Sequence, residues 1–126
     1  MPTNTYQSYQ DEEVLAANPV RLVQLLYRSG LDSIGAARRN LSRGDIRARS
    51  RAISKAMTIV TELSLSLDHE KGGDLSRNLA DLYGYIQNLL IQANIQQADS
   101  PLEEAERLLE TLDEAWEKCP QMAQAS

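Results

Sequence analysis

The sequence has no phenylalanine, and only one cysteine, one tryptophan and one histidine. Without Phe, a core has to be assembled from Leu, Ile, Val and Ala, with a few tyrosines and Trp116 as its only large rings. A lone Cys119 excludes an intrachain disulfide and a cysteine metal cluster, and reads as a small apolar residue of the last helix in a reducing, cytoplasmic setting. No stretch approaches the length of a membrane span, and the opening Met-Pro-Thr-Asn-Thr-Tyr-Gln has neither a basic head nor an apolar run, so no membrane insertion is expected. Alternating apolar patterns of useful length are absent too, which leaves strands without support. At 126 residues the chain suits one domain that needs no metal or disulfide to hold it.

The charge is uneven. The net charge is −5, yet nine of the thirteen basic residues lie between Arg21 and Lys55, opposed there only by Asp32 and Asp45. Asp99 to Lys118 holds eight acids against Arg107 and Lys118. The simplest reading is that basic and acidic helices pack together and stay solvated. A nucleic-acid interface is not expected, because no aromatic residue is interleaved with Arg38, Arg39, Arg43, Arg47, Arg49 and Arg51 to stack on bases.

Helical periodicity accounts for most of what remains. Asn18-Pro19 is a capping residue followed by proline at the first helical position, and opens a helix over about 19 to 42. Val20, Val23, Leu26, Tyr27, Gly30, Leu31, Ile34, Ala37 and Leu41 mark its inner face. Gly44-Asp45 stops it and caps a second helix over about 45 to 69, with Ile46, Ile53, Ala56, Met57, Val60, Leu63 and Leu67 inward. Gly72-Gly73 forms the next turn and Asp74 caps a third helix over about 74 to 97. Ser100-Pro101 starts the fourth, whose single stripe is Leu102, Ala105, Leu108, Leu109, Leu112, Ala115, Trp116 and Cys119. Short turns between four long helices predict an all-α, antiparallel up-down four-helix bundle over residues 18–119. Residues 1–17 read as a mobile N-terminal arm or helical cap in which Tyr9, Val14 and Leu15 share a side, and residues 120–126 as a disordered tail.

Residues for catalysis are missing. His69 stands between Asp68 and Glu70 at a helix end, where an imidazolium suits the dipole. Lys71-Gly72-Gly73 lacks the second glycine spacing and the Lys-Ser/Thr pair of a phosphate loop, and the nearby acids lack calcium-loop spacing. Neither an enzyme activity nor a cofactor or metal is expected.

More informative are the aliphatic residues that miss the core stripes when placed at about 100° per residue. On the second helix Leu65 points away from the stripe together with Ser54, Thr58 and Thr61, and Ile59 sits on the flank. On the third, Ala80, Gly84, Ile91 and Ile95 lie on the back and Tyr85 at the flank, while Leu22 and Leu25 add apolar area on the first. Gly84 costs about 1 kcal/mol relative to alanine in a helix, which suits a surface that wants close backbone approach. Neutral faces of this kind fit a partner helix, a homodimer contact, or side chains covered by offset packing, and residue phase alone leaves all three open.

An ordered set of short motifs narrows the choice. Tyr9; Asn18-Pro19 with Leu22 and Leu25-Leu26-Tyr27; Lys55-Ala56 with Ile59-Val60 and Glu62-Leu63; Leu67-Asp68 with Glu70 and Gly72-Gly73; Asn78-Leu79 with Leu82-Tyr83 and Tyr85; Ala93-Asn94; and Ala115-Trp116 together resemble the flagellar export chaperone family FliS over about residues 9 to 117. The resemblance implies a cytoplasmic chaperone of the flagellar type III export system. Its partner would be the C-terminal segment of flagellin, disordered until it wraps around the bundle and thereby kept from premature polymerisation. It further implies that the N-terminal arm, with Tyr9, covers part of the client surface and moves aside. Placed on the helical phases, it makes Leu65, Ile91 and Ile95 the apolar anchors, with Ile59 and Tyr85 at the rim, Gly84 admitting close approach and Leu25 adding area. Contacts with the export gate and regulatory proteins belong to the resemblance as well, although no separate motif assigns them. A homo-oligomeric structural protein, or a homodimer in the free state, is the competing expectation. Asn18 replaces the serine more usual before this proline in the family, and either residue caps a helix.

Overall fold

The computed structural model describes residues 19–125, with the side chain of Gln124 left aside. The arm residues Tyr9, Val14 and Leu15, and the Asn18 cap, lie outside the described residues. In chain order the helices are α1 (Pro19–Ser42), α2 (Ile46–Leu65), α3 (His69–Gly72), α4 (Asp74–Gln96), α5 (Asp99–Lys118) and α6 (Pro120–Gln124). There is no strand among the described residues.

Four long helices close into a ring in which each packs chiefly on two others: α1 on α2 and α5, and α4 on α2 and α5. The diagonals are therefore α1 with α4 and α2 with α5. Side-chain contacts fix the antiparallel sense. Ser50 near the start of α2 donates to Asn94 near the end of α4. Gln24 near the start of α1 donates to Glu117 near the end of α5, while Arg38 at the other end of α1 reaches Asp99 at the start of α5.

The core follows the stripes. Val23, Tyr27, Ile34, Ala37, Ile53, Ala56, Val60, Leu63, Leu79, Tyr83, Ile86, Leu90, Ala93, Leu102, Ala105, Leu109, Leu112 and Trp116 are all buried. Each large aliphatic among them contributes about 1.5–3 kcal/mol when fully withdrawn from water. Trp116 and Tyr27 meet at a ring-centroid distance of 6.2 Å, so the two rings serve as the bulk that Phe would otherwise supply. Close packing between helices is visible at Gly30, where an added Cβ would stand 2.9 Å from Leu109 Cδ2 and 3.4 Å from Ile59 Cγ2.

Several boundaries differ from those expected. The second helix ends at Leu65 instead of running to 69, because Asp68 turns its carboxylate onto the N–H groups of Glu70 and Lys71 and begins the separate short α3. Leu67 still reaches the core from the intervening turn. The cap of α4 is Gly73, at φ +52°, with Asp74 as the first helical residue, and α5 begins at Asp99 without a side-chain cap. Val20 and Ile46 belong to inward stripes by phase but are half exposed, since each lies in the first turn of its helix, beyond the packed part of the bundle.

The largest difference is at the C-terminus. Residues 120–125 are expected to be disordered, yet they form α6 and fold back onto the α2–α4 connection. Met122 is 5% exposed and Ala125 fully buried. The Ala125 carbonyl accepts from the Asp68 N–H at 2.7 Å and lies 3.1 Å from the Ser76 hydroxyl. Ser76 is itself fully buried and also lies 2.8 Å from the Asp68 carbonyl, so its one proton serves two acceptors in alternation.

Candidate functional site

Two hydrogen-bonded contacts hold α2 and α4 side by side and present their outer faces as one strip. Gln87 on α4 donates from Nε2 to the Met57 carbonyl at 2.9 Å and to Thr61 Oγ1 at 3.0 Å on α2. The carbonyl can only accept, which fixes the amide orientation and leaves Gln87 Oε1 buried without a partner in the seam. Ser50 and Asn94 close the strip toward the start of α2.

Along this strip the uncharged side chains are small or aliphatic, while Glu62 on α2 and Arg77 and Asp81 on α4 are exposed on the same faces by helical phase. Thr58 donates to the Ser54 carbonyl and Thr61 to the Met57 carbonyl, so these hydroxyls are satisfied within their own helix and ask nothing of a partner. Leu65 stands 74% exposed at one end, with Ile91 at 41% and Ile95 at 75% toward the other. Gly84 is exposed between them, and an added Cβ there would meet nothing within 4 Å. No contact among the described residues demands a glycine at that point.

Three site expectations stand differently. Ile59 is not at the rim: it is only 7% exposed and faces Gly30 of α1 inside the core. Tyr85 is 45% exposed but leans to the opposite side of α4, where its hydroxyl donates to Glu104 Oε2 of α5. That bond first, with a smaller contribution from desolvation, pushes the Tyr85 phenol above its ordinary pKa. Leu25 is half-buried on α1, which packs on α2 and α5, and so stands apart from Ile91 and Ile95. Leu65, Gly84, Ile91 and Ile95 are thus the residues that share the strip.

The outer α2 face is not neutral as expected: Glu62 is exposed on it in the second half. Arg47 and Arg51 are exposed on the same side by helical phase, and Lys55 at its edge. Phase from the core stripe would have found them, had charged residues been placed along with the aliphatics.

Elsewhere the surface offers little chemistry. A cleft of about 600 Å³ at one end of the bundle is lined by Gly35, Arg38, Arg39, Leu41, Ser42, Arg43, Asp99 and Glu106, with its central cation already paired. Asp113 on α5 has a buried, unpartnered Oδ1, and burial first, then Glu117, raises its carboxyl above the usual range. No nucleophile–base pair accompanies it. Among the described residues no group of His, Cys, Asp and Glu is arranged for a metal ion, and no helix is long and apolar enough to cross a membrane.

Comparison with known proteins agrees with the bundle and its motifs. The sequence model of the family described as "Flagellar protein FliS" matches residues 2–123. The chain belongs to the FliS family. It is 37% identical over 109 residues to the flagellar secretion chaperone FliS of Salmonella typhimurium, covering 86% of this chain and 81% of the relative. Identity to the flagellar secretion chaperone FliSB of Pseudomonas aeruginosa is 38% over 113 residues, covering 89% and 90%. The Bacillus subtilis flagellar secretion chaperone FliS is 30% identical over 118 residues, covering 94% and 87%. This is a family of chaperones for flagellar secretion and not of enzymes.

Proposed function

We propose that the protein binds the disordered C-terminal segment of flagellin along the outer faces of α2 and α4. In the cytoplasm this keeps the client from polymerising and delivers it to the flagellar type III export apparatus. One observation carries the reading: exposed Leu65, Ile91 and Ile95 share a strip whose intervening hydroxyls are internally satisfied and whose Gly84 has open space above it.

The energetics require a long contact. Burying each aliphatic anchor contributes about 1.5–3 kcal/mol, while ordering a disordered segment costs about 2–5 kcal/mol or more. Three anchors exceed that ordering cost by too little to cover the lost translational and rotational freedom of association as well, so useful affinity needs the client to follow the strip over several helical turns. In the same reading the arm bearing Tyr9, Val14 and Leu15 covers part of the client surface and is displaced on binding, so the measured affinity is what remains after arm release.

Calorimetry with the C-terminal segment of flagellin from the same bacterium tests this. Wild type should form a one-to-one heterocomplex, and Leu65→Asp/Ile91→Asp should abolish it while circular dichroism stays helical. Unchanged affinity in that double variant would remove the strip as the site. Concentration-dependent self-association without flagellin binding would instead favour the homo-oligomer. Deleting residues 1–16 should tighten or speed binding if the arm competes, and weaken it if Tyr9 touches the client.

A further inference from the structure

The ring order of the helices separates the basic residues into two groups with different fates. On α1, Arg38 and Arg28 reach the acids of α5, as expected for packed helices of opposite charge. On α2 this is impossible, because α2 and α5 occupy a diagonal of the bundle. Arg47, Arg51 and Lys55, spaced at i and i+4, are all exposed and make no ion pair among the described residues.

The row is also unfavourable for the helix that bears it. Like charges four residues apart repel, and the first turn of α2, which contains Arg47 and no acid, is the positive end of the helix dipole. Among the described residues nothing in the folded chain gives a reason to keep three cations there. They lie beside Ser50 and Ser54 at the Ile91–Ile95 end of the strip, over about 12 Å of helix axis.

We infer that Arg47, Arg51 and Lys55 form a docking edge for an acidic face of the client helix, an inference that rests on the α2–α4 strip being the client site. The apolar side of the client helix lies on Ile91 and Ile95, and carboxylates at i and i+4 on its flank pair with the row. This fixes the register of the client along the strip, which the aliphatic anchors alone cannot do. It also draws a client toward one face of a protein whose net charge is negative.

The test crosses two variants of the full-length protein against the flagellin C-terminal segment, at low and high salt. Arg47→Glu/Arg51→Glu should remain helical, bind roughly tenfold or more weakly at low salt, and lose most of the salt dependence shown by wild type. Arg47→Gln/Arg51→Gln should fall between them. If the charge variants bind like wild type while Leu65→Asp/Ile91→Asp does not bind, the row is overturned and the strip stands. If the row variants weaken binding and the strip variant does not, the strip is misplaced and the docking edge proposed along it is overturned with it. Failure of wild type to bind the segment overturns both. Duplex DNA that binds wild type as tightly, and is lost on charge reversal, would overturn an acidic protein partner in favour of a polyanion.

Discussion

Tyr27 and Tyr83 meet hydroxyl to hydroxyl at 2.6 Å across the α1–α4 diagonal, both rings almost fully buried. This is a polar tie within a core otherwise built of aliphatic side chains and Trp116. Its strength depends on both partners being present. Tyr27→Phe strands the Tyr83 hydroxyl, and Tyr83→Phe the Tyr27 hydroxyl, so each single change should cost about 1–3 kcal/mol in denaturant unfolding. The double Phe variant should cost less than the sum of the two. Burial foremost pushes both phenols above their ordinary value near 10.0. For a group whose folded pKa is raised, the stabilisation is complete below the unfolded pKa and is lost as pH rises beyond it. Stability should therefore decline above about pH 10, earlier in wild type than in the double Phe variant, with tyrosinate absorbance rising along the unfolding transition.

Gly84 separates folding from binding. Its Cβ position is open, so Gly84→Ala removes the entropy cost of glycine in a helix without a clash and should stabilise the free protein by about 0.5–1 kcal/mol. The same methyl would stand in the path of a closely packed client. A higher melting temperature combined with weaker flagellin-segment binding is the expected outcome. Unchanged binding would mean that the client does not approach α4 there.

Most of the architecture was legible in the sequence because helix phase, glycine turns and proline starts each encode one local decision. Leu65, Ile91 and Ile95 were legible for the same reason, since they miss their stripes by half a turn. What phase could not say was which flank of a helix meets which neighbour. Ile59 and Tyr85 both sit on flanks, and the ring order sent one into α1 and the other toward α5. The split of α2 from α3 and the docking of α6 depend on pairs of hydrogen bonds accepted by the Asp68 carboxylate and the Ala125 carbonyl, which periodicity does not register.

Arg38 ties the ends of α1 and α5 with two bonds to Asp99 at 2.9 Å and one to Glu106 at 2.7 Å. Its side chain is 31% exposed, so the tie is partly screened and worth less than a buried one. Arg38→Ala should cost about 1–2 kcal/mol at low salt, with the loss shrinking as salt rises. Arg38→Lys should recover only part of it, because an ammonium cannot bond both Asp99 oxygens and Glu106 in the same planar geometry. Thermal melts of the three proteins at two salt concentrations measure this. Equal melting temperatures for wild type and Arg38→Lys would show that charge alone, not the fork, carries the tie.

Gly72 packs against the C-terminal segment with no room for a side chain. An added Cβ would collide with Ser76 Oγ and stand 2.8 Å from both Cα and Cβ of Ala125. Ser76 is fully buried and lies in the first turn of α4, so it has little room to yield; the lighter response is for residues 120–125 to leave. That exposes Met122 and opens the Asp68 N–H, and should cost about 2–4 kcal/mol in all. Gly72→Ala should accordingly speed amide exchange at Asp68 and proteolysis after residue 118, while the centre of the bundle around Tyr83 stays protected. Truncation after Lys118 should reproduce the loss, and Gly72→Ala added to the truncated chain should cost much less than it does in the full one. If instead the two losses simply add, Gly72 serves the α3 turn itself and not the seat of the C-terminal segment.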